Sequence, residues 1–403
     1  MASEATRATT EGAGHLDTAW LRGLVETLAS IHRPSASLGE RRAAEWLAER
    51  LRELGARTEI EPEDAHGTYW WPLGIATAAG VGAGALALSG WRRTGAAIAA
   101  TAAAAIADDL PPGGRRLRKL LRRRKAFNVV SEVGPAGAER TVVLVAHHDA
   151  AHSGLLFHPA IPELADRVGF IDRADTSPAL MAPVIGGPAA VAAGALSGRR
   201  WLTRLGMALS LGSAAAFADI GSRDAVPGAN DNATGVAVLV AIARALAERP
   251  TGDVKVMLVS TSEEALCEGM QLFAERHFGA LPRESTFVMA LDTLGSPHLL
   301  ALRGEGMFRM REYPPRSLAL IDGVAGELGI DLFPNLRLRN ATDGVIPLAA
   351  GYECASLCSC TDLKQPSNYH WPTDVPENVD YETVADAVRL TEAVVRRLDE
   401  RWL

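Results

Sequence analysis

Apolar positions along this chain follow three rhythms. In residues 17–54 they recur every three or four places. Leu21, Leu24, Val25, Leu28 and Ile31 share one face, which predicts an amphipathic helix capped at Asp17 and Thr18. Ser37 with Glu40 three residues on has capping-box spacing for a second helix, which Gly55 stops. Residues 57–61 alternate and predict an exposed strand. From residue 127 the rhythm changes to short apolar runs that end in polar clusters. Runs 127–133, 141–146, 254–260 and 286–291 predict strands, and the unbroken run 141–146 predicts one buried on both faces. Helical patterns cover roughly 235–247, 268–278 and 381–402. Strands alternating with helices from 127 to 300 predict an α/β fold around a largely parallel sheet.

The third rhythm has no polar face. Residues 73–90 and 94–107 are uncharged and are separated by Trp91-Arg92-Arg93. Residues 178–197 and 202–220 repeat the design around Gly198-Arg199-Arg200, and only Arg204 and Asp219 interrupt the second arm. A membrane span needs about 20 apolar residues to cross roughly 30 Å of hydrocarbon. Two arms nearly reach that length, whereas 94–107 would cover only about 21 Å. Trp70, Trp71, Trp91 and Trp201 sit at arm ends like an aromatic belt. Two hydrophobic hairpins in the lipid bilayer are therefore expected, with a soluble Ala-rich helical cap as the alternative. The basic run 115–125 would lie on the cytoplasmic side, and the rest of the chain with it.

Composition narrows the classes. A formal charge of -7 and a pI near 5.9 argue against nucleic acid as a partner. Four cysteines are too few for a disulfide framework, and free thiols are expected, although Cys354 and Cys358 could pair in an oxidising compartment. Residues 1–14 lack a basic start and an apolar core, so no signal peptide is expected, and residues 1–16 read as a disordered tail.

The candidate chemistry lies at strand ends and helix starts. His147 and Asp149 follow the buried run, two residues apart. Their side chains point the same way, so Asp149 can accept the second ring N–H of a metal-bound His147. Asp231 lies in Gly-Ala-Asn-Asp-Asn-Ala-Thr-Gly at a helix start, where the helix dipole favours a carboxylate. Glu263 and Glu264 follow a strand with diverging side chains, so one can bind metal while the other faces substrate as a base. Asp292 ends another strand, and His370 lies in Asn-Tyr-His-Trp-Pro-Thr-Asp. Each residue alone is an ordinary cap or solvated acid. Together they match the inventory of a two-zinc site with a shared carboxylate and a separate base. His148, His152 and His158 are rival ligands near the first motif.

These motifs resemble the co-catalytic zinc exopeptidases of the MH clan, in the branch of bacterial aminopeptidases, glutamate carboxypeptidase and glutaminyl cyclases. The resemblance rests on His147 and Asp149, on Gly228 through Gly235, on Glu263, Glu264 and Gly269, on Asp292, and on Tyr369, His370 and Asp374. It implies a three-layer α/β/α zinc-peptidase fold with a mixed, mostly parallel central sheet, formed by residues 17–65 and 126–403. Residues 66–125 and 156–226 would be inserted hydrophobic hairpins. It also implies two zinc ions bridged by Asp231, with His147 and Asp292 completing one site and Glu264 and His370 the other. Glu263 would be the general base and Asp149 the outer partner of His147. The implied activity is hydrolysis of a peptide substrate from its end, as an aminopeptidase. A catalytically inactive membrane receptor or scaffold on the same fold is the competing expectation.

Overall fold

The computed structural model describes residues 17–403 apart from 168, 170–174 and 263. The tail expected over residues 1–16 and the expected base Glu263 therefore lie outside the described residues. The strands are β1 Arg57–Ala65, β2 Arg124–Val133, β3 Arg140–His147, β4 Val254–Thr261, β5 Thr286–Leu291, β6 His298–Ala301, β7 Gly304–Glu305, β8 Arg311–Glu312, β9 Arg337–Leu338 and β10 Glu353–Cys360. The helices are α1 Thr18–Ala29, α2 Leu38–Glu53, α3 Trp70–Leu88, α4 Arg92–Asp109, α5 Ala160–Arg167, α6 Ala182–Ser197, α7 Arg200–Gly221, α8 Thr234–Glu248, α9 Glu268–His277, α10 Pro315–Leu328, α11 Val345–Ala350 and α12 Tyr381–Glu400.

The main sheet has seven strands in the order β1-β2-β4-β3-β5-β10-β6. The four central strands run parallel, β2 and β6 join them antiparallel on either side, and β1 pairs antiparallel with β2 at the edge. The side-chain alternation of β3 divides the core. Val142, Leu144 and Ala146 belong to the layer under α1, α2, α8, α10 and α12, while Val143 and Val145 face the layer under α9 and α11. This is the expected α/β/α sandwich. Because the four parallel strands end at one edge, the loops after β3, β4 and β5 emerge side by side.

Local signals place the first two helices. Asp17 accepts the amides of Ala19 and Trp20, and Ser37 those of Gly39 and Glu40. The Glu40 carboxylate accepts the amides of Ala36 and Phe127 and so ties α2 to β2. The four cysteines are buried, and Cys354 and Cys358 lie on the same strand, β10.

The four uncharged arms form α3, α4, α6 and α7, which pack as one four-helix bundle. Small residues set its spacing. A Cβ on Gly206 would lie 2.5 Å from the carbonyl oxygen of Gly187 and from the amide of Val191, and one on Gly194 would lie 2.5 Å from the amide of Thr203. Close backbone approach of this kind suits helices that associate by packing. Within the bundle every charged residue except Arg204 lies in the first or last three positions of a helix. Large apolar side chains point outward between those ends, with Leu205 47% exposed and Leu211 59% exposed. Among the described residues, one helix, Trp70–Leu88, is long and apolar enough to cross a membrane, and Ala182–Ser197 is apolar but shorter. The root of the bundle, from Tyr69, Leu73, Val184, Phe217 and Ile220, packs on Leu266 and Phe157 of the α/β domain.

Two members of the basic run turn inward. Arg115 and Arg118 are buried, paired with Glu268 and, for Arg118, with Asp109. Arg116, Lys119 and residues 122–125 remain exposed.

Candidate metal centre

Each candidate ligand described lies at that sheet edge. His147 is the last residue of β3, and Asp292 directly follows β5. Asp231 occupies the irregular turn before α8, which Gly228 enters at φ +64°, and the Asp231–Asn232 peptide is cis. Arg33, fully buried between α1 and α2, donates to the carbonyls of His148 (2.8 Å), Pro227 (2.5 Å) and Gly228 (2.7 Å). It thereby fixes the Asp231 turn against the β3 loop. Asp374 holds the same turn from the other side, accepting the amides of Asn230 (2.7 Å) and Asp231 (3.1 Å).

These elements converge on two groups of three side chains. Ligand atoms of His147, Asp231 and Asp292 lie within 4.8 Å of one another, as do those of Asp231, Glu264 and His370. Asp231 is common to both. Its Oδ1 is 3.1 Å from His147 Nε2 and its Oδ2 is 3.2 Å from His370 Nε2. His370 Nε2 is also 3.4 Å from Glu264 Oε2, and His147 Nε2 is 3.8 Å from Asp292 Oδ1. Asp149 faces the opposite ring nitrogen of His147 at 3.2 Å, while its other oxygen accepts Ser35 Oγ (2.5 Å), Ser262 Oγ (3.1 Å) and the Glu264 amide (3.1 Å).

The electrostatics follow from burial of like charges. Burial, and next the negative Asp231, push the Glu264 carboxyl well above its usual range. Burial also raises Asp292, against the pull of His147. Asp231 is held low because its contacts with His147 and His370 outweigh burial. For Asp149 burial is again outweighed, chiefly by His147. Asp374 is pushed up to about 7 by burial and then by Asp231. A buried oxygen on each of Glu264 and Asp292 has no hydrogen-bond partner. Three carboxylates and two imidazoles around unpartnered oxygens form a donor set suited to two divalent cations of the zinc type.

The rival histidines lie elsewhere. His148 is buried against Ser260 Oγ at 2.9 Å, and burial lowers its pKa to about 4. His152 contacts the Arg223 carbonyl at 2.6 Å and packs on Trp70, and His158 meets Trp371 edge-on. Sequence reasoning missed Arg33, Ser35 and Asp343. Asp343 is buried, pushed up to about 7 by burial, and accepts from the Thr261 hydroxyl beside the centre. The only signals were an Arg-Pro-Ser between two capped helices and a Thr-Asp-Gly without periodic context. A cavity of about 220 Å³ opens onto the centre, with Phe157, Leu180, Leu300, Leu302, Leu336 and Leu338 in its apolar wall.

A sheet-edge centre of this kind has the donor set of a zinc-type metallohydrolase. Residues 215–395, a stretch that holds Asp231, Glu264, Asp292 and His370, match the model of peptidase family M28. His147 and Asp149 precede the match. No curated protein matches the chain in sequence. Among solved structures, the chain is similar to a glutaminyl cyclase from Tannerella forsythia (16% identity, TM-score 0.56, 94% of this chain and 98% of that one). It is also similar to an aminopeptidase from Aneurinibacillus sp. (14%, 0.55, 94% and 93%) and to a Zn-dependent exopeptidase from Parabacteroides distasonis (13%, 0.54, 95% and 97%). These likenesses establish the shared fold.

Proposed function

We propose that the protein is a di-zinc exopeptidase that removes residues from a peptide end, acting as an aminopeptidase. The observation that carries this reading is the pair of three-residue groups sharing Asp231. His147, Asp231 and Asp292 would hold one ion, and Asp231, Glu264 and His370 the other. When bound, such ions polarise a scissile carbonyl and acidify water. The protein's own groups do the remaining work. Asp149 fixes the ring of His147 and, through the Glu264 amide, the course of the next loop. Glu263 is assigned as the base that takes a proton from the attacking water and delivers it to the leaving amine. The leucine-rich wall of the cavity favours a large apolar end residue and excludes water around it.

The bundle is proposed to attach the enzyme to a lipid bilayer. Charges confined to its two ends except for Arg204, outward Leu205 and Leu211, and Trp91 and Trp201 at one end support this over a soluble cap. The exposed members of the basic run favour a cytoplasmic catalytic domain.

The test uses a panel of aminoacyl arylamides and end-blocked peptides with the zinc-loaded chain and its Glu263→Gln variant. Turnover of free-amino substrates by the wild type, lost in the variant, is expected. An inactive wild type would favour a receptor or scaffold, and an equally active variant would refute the assignment of the base. Detergent-free fractionation should leave the chain in the membrane pellet, and recovery of the whole chain in the soluble fraction would refute attachment. Protease added to sealed inverted vesicles should digest the catalytic domain, whereas digestion only in right-side-out vesicles would reverse the orientation.

A further inference from the structure

Both ends of the α3–α4 helix pair converge on one buried carboxylate. Glu268 begins α9, four residues after Glu264. On the side entering α3, the amides of His66 (3.1 Å) and Gly67 (3.0 Å) donate to Glu268 Oε2. On the side leaving α4, Arg115 Nη1 lies 3.6 Å from Glu268 Oε1, and Arg118 Nη1 lies 3.4 Å from Oε2. Arg118 grips Asp109, the last residue of α4, through two nitrogens at 3.1 and 2.7 Å. The same guanidinium donates to the carbonyl of Ala265, the residue after Glu264. Arg118 and Asp109 are each 1% exposed.

The loop so held is not one the backbone would adopt unaided. Leu266 and Cys267 have φ of +63° and +56°, the left-handed region unfavourable for both side chains. Leu266 is also clamped by the bundle root through Phe217 and Ile220. A buried arginine fork bridging an aspartate, a glutamate and a carbonyl fixes direction as well as charge, which a lysine cannot reproduce. His147 and Asp292 instead rest on β3 and β5, and the buried arginine beside His147, Arg33, holds the carbonyls of His148, Pro227 and Gly228 within the α/β domain.

We propose that Arg118 is a positioning residue that sets Glu264 and thereby couples the helix bundle to the Asp231–Glu264–His370 group in preference to the His147–Asp231–Asp292 group. The inference rests on the two-metal reading. It makes the second group sensitive to whatever displaces the root of the bundle, while the first stays anchored in the sheet.

The test is calorimetric titration of the metal-free full chain with Zn²⁺ in detergent micelles, comparing wild type, Arg118→Met, Arg118→Lys, Glu268→Gln and the exposed control Arg116→Met. Two binding events are expected for wild type and Arg116→Met. Arg118→Met should weaken one event about 10- to 100-fold, the range for loss of an outer-shell partner, and leave the other nearly unchanged, with Arg118→Lys between. Glu268→Gln should weaken the same event. Both events unchanged, or both weakened equally, in variants that melt cooperatively would overturn the proposal. Should Arg118→Met not fold, Arg118→Lys and Glu268→Gln decide the matter by the same two outcomes. A wild type without metal binding overturns the two-metal reading together with this one, whereas two intact events in every variant overturn this one alone.

Discussion

The two halves of the metal centre are built differently. His147 and Asp292 end adjacent parallel strands, β3 and β5, whose residues pair in register from Thr141 with Thr286 to Val145 with Ala290. Glu264 and His370 stand on loops. Glu264 precedes a left-handed step held by Arg118, and His370, itself at φ +50°, packs against Phe157 at 4.5 Å between ring centres. Strand ends inherit the rigidity of the sheet, whereas loops take their precision from neighbours. Here the neighbours are the helix bundle and the segment that leads into it. The sheet half is thus specified by the fold, and the loop half by what is packed against it.

Substitutions can break this division. The largest effect is expected at the shared residue. Asp231→Ala should abolish binding of both ions and reduce peptide hydrolysis to background, by metal analysis and arylamide assay, and retention of one tightly bound ion would mean that the halves do not share it. Glu263→Gln should lower kcat by about 10²- to 10⁴-fold with metal content unchanged. Asp149 touches both halves, His147 with one oxygen and the Glu264 amide with the other. Asp149→Asn should therefore weaken both binding events, by about 10- to 100-fold, and weakening of one alone would remove Asp149 as the link.

The bundle offers a contrast with the catalytic core that can be sharpened by one charge. Leu211 lies midway along α7 and is exposed. Leu211→Arg should cost about 2.5–3.5 kcal/mol if that surface faces hydrocarbon, read as loss of membrane insertion. In water it should stay within about 0.5 kcal/mol. A smaller effect tests the polar interior of the α/β domain. Glu305 is buried, with Tyr313 and Thr342 donating to it, and burial raises its pKa to about 8. The folded state then keeps a proton that the unfolded state releases above pH 4.5. The contribution is complete at low pH and falls as pH rises toward 8, with a slope of about 1.4 kcal/mol per pH unit. Glu305→Gln should flatten that part of the urea-unfolding profile between about pH 5 and 8, and an unchanged slope would assign it to other groups.

The contrast also explains what the sequence disclosed. Strands β2 to β5 and helices α1, α2, α8, α9 and α12 were legible because an apolar face with period two or 3.6 is imprinted residue by residue. Strands β6 to β10 and helices α10 and α11 were not read from the pattern. Their short runs are broken by turns such as Gly304, Gly306 and Pro314-Pro315, and the pairing of β10 with β5 is set by tertiary contacts. The ligands were legible because strand ends and glycine-framed turns mark them. Their supports were not, because Arg33, Arg118 and Asp343 act across long stretches of chain. The basic run shows the cost of reading charge locally, since Arg115 and Arg118 form the interior bond between bundle and loop.

One chain presents two groups of candidate metal ligands joined by Asp231. The most direct test is the zinc content of the purified full chain, measured by plasma emission spectroscopy after equilibration with a slight excess of zinc and removal of the unbound metal, alongside Asp231→Ala. Two ions per chain in the wild type and none held by the variant is the result expected here. A wild type that saturates at one ion, or holds none, would contradict it.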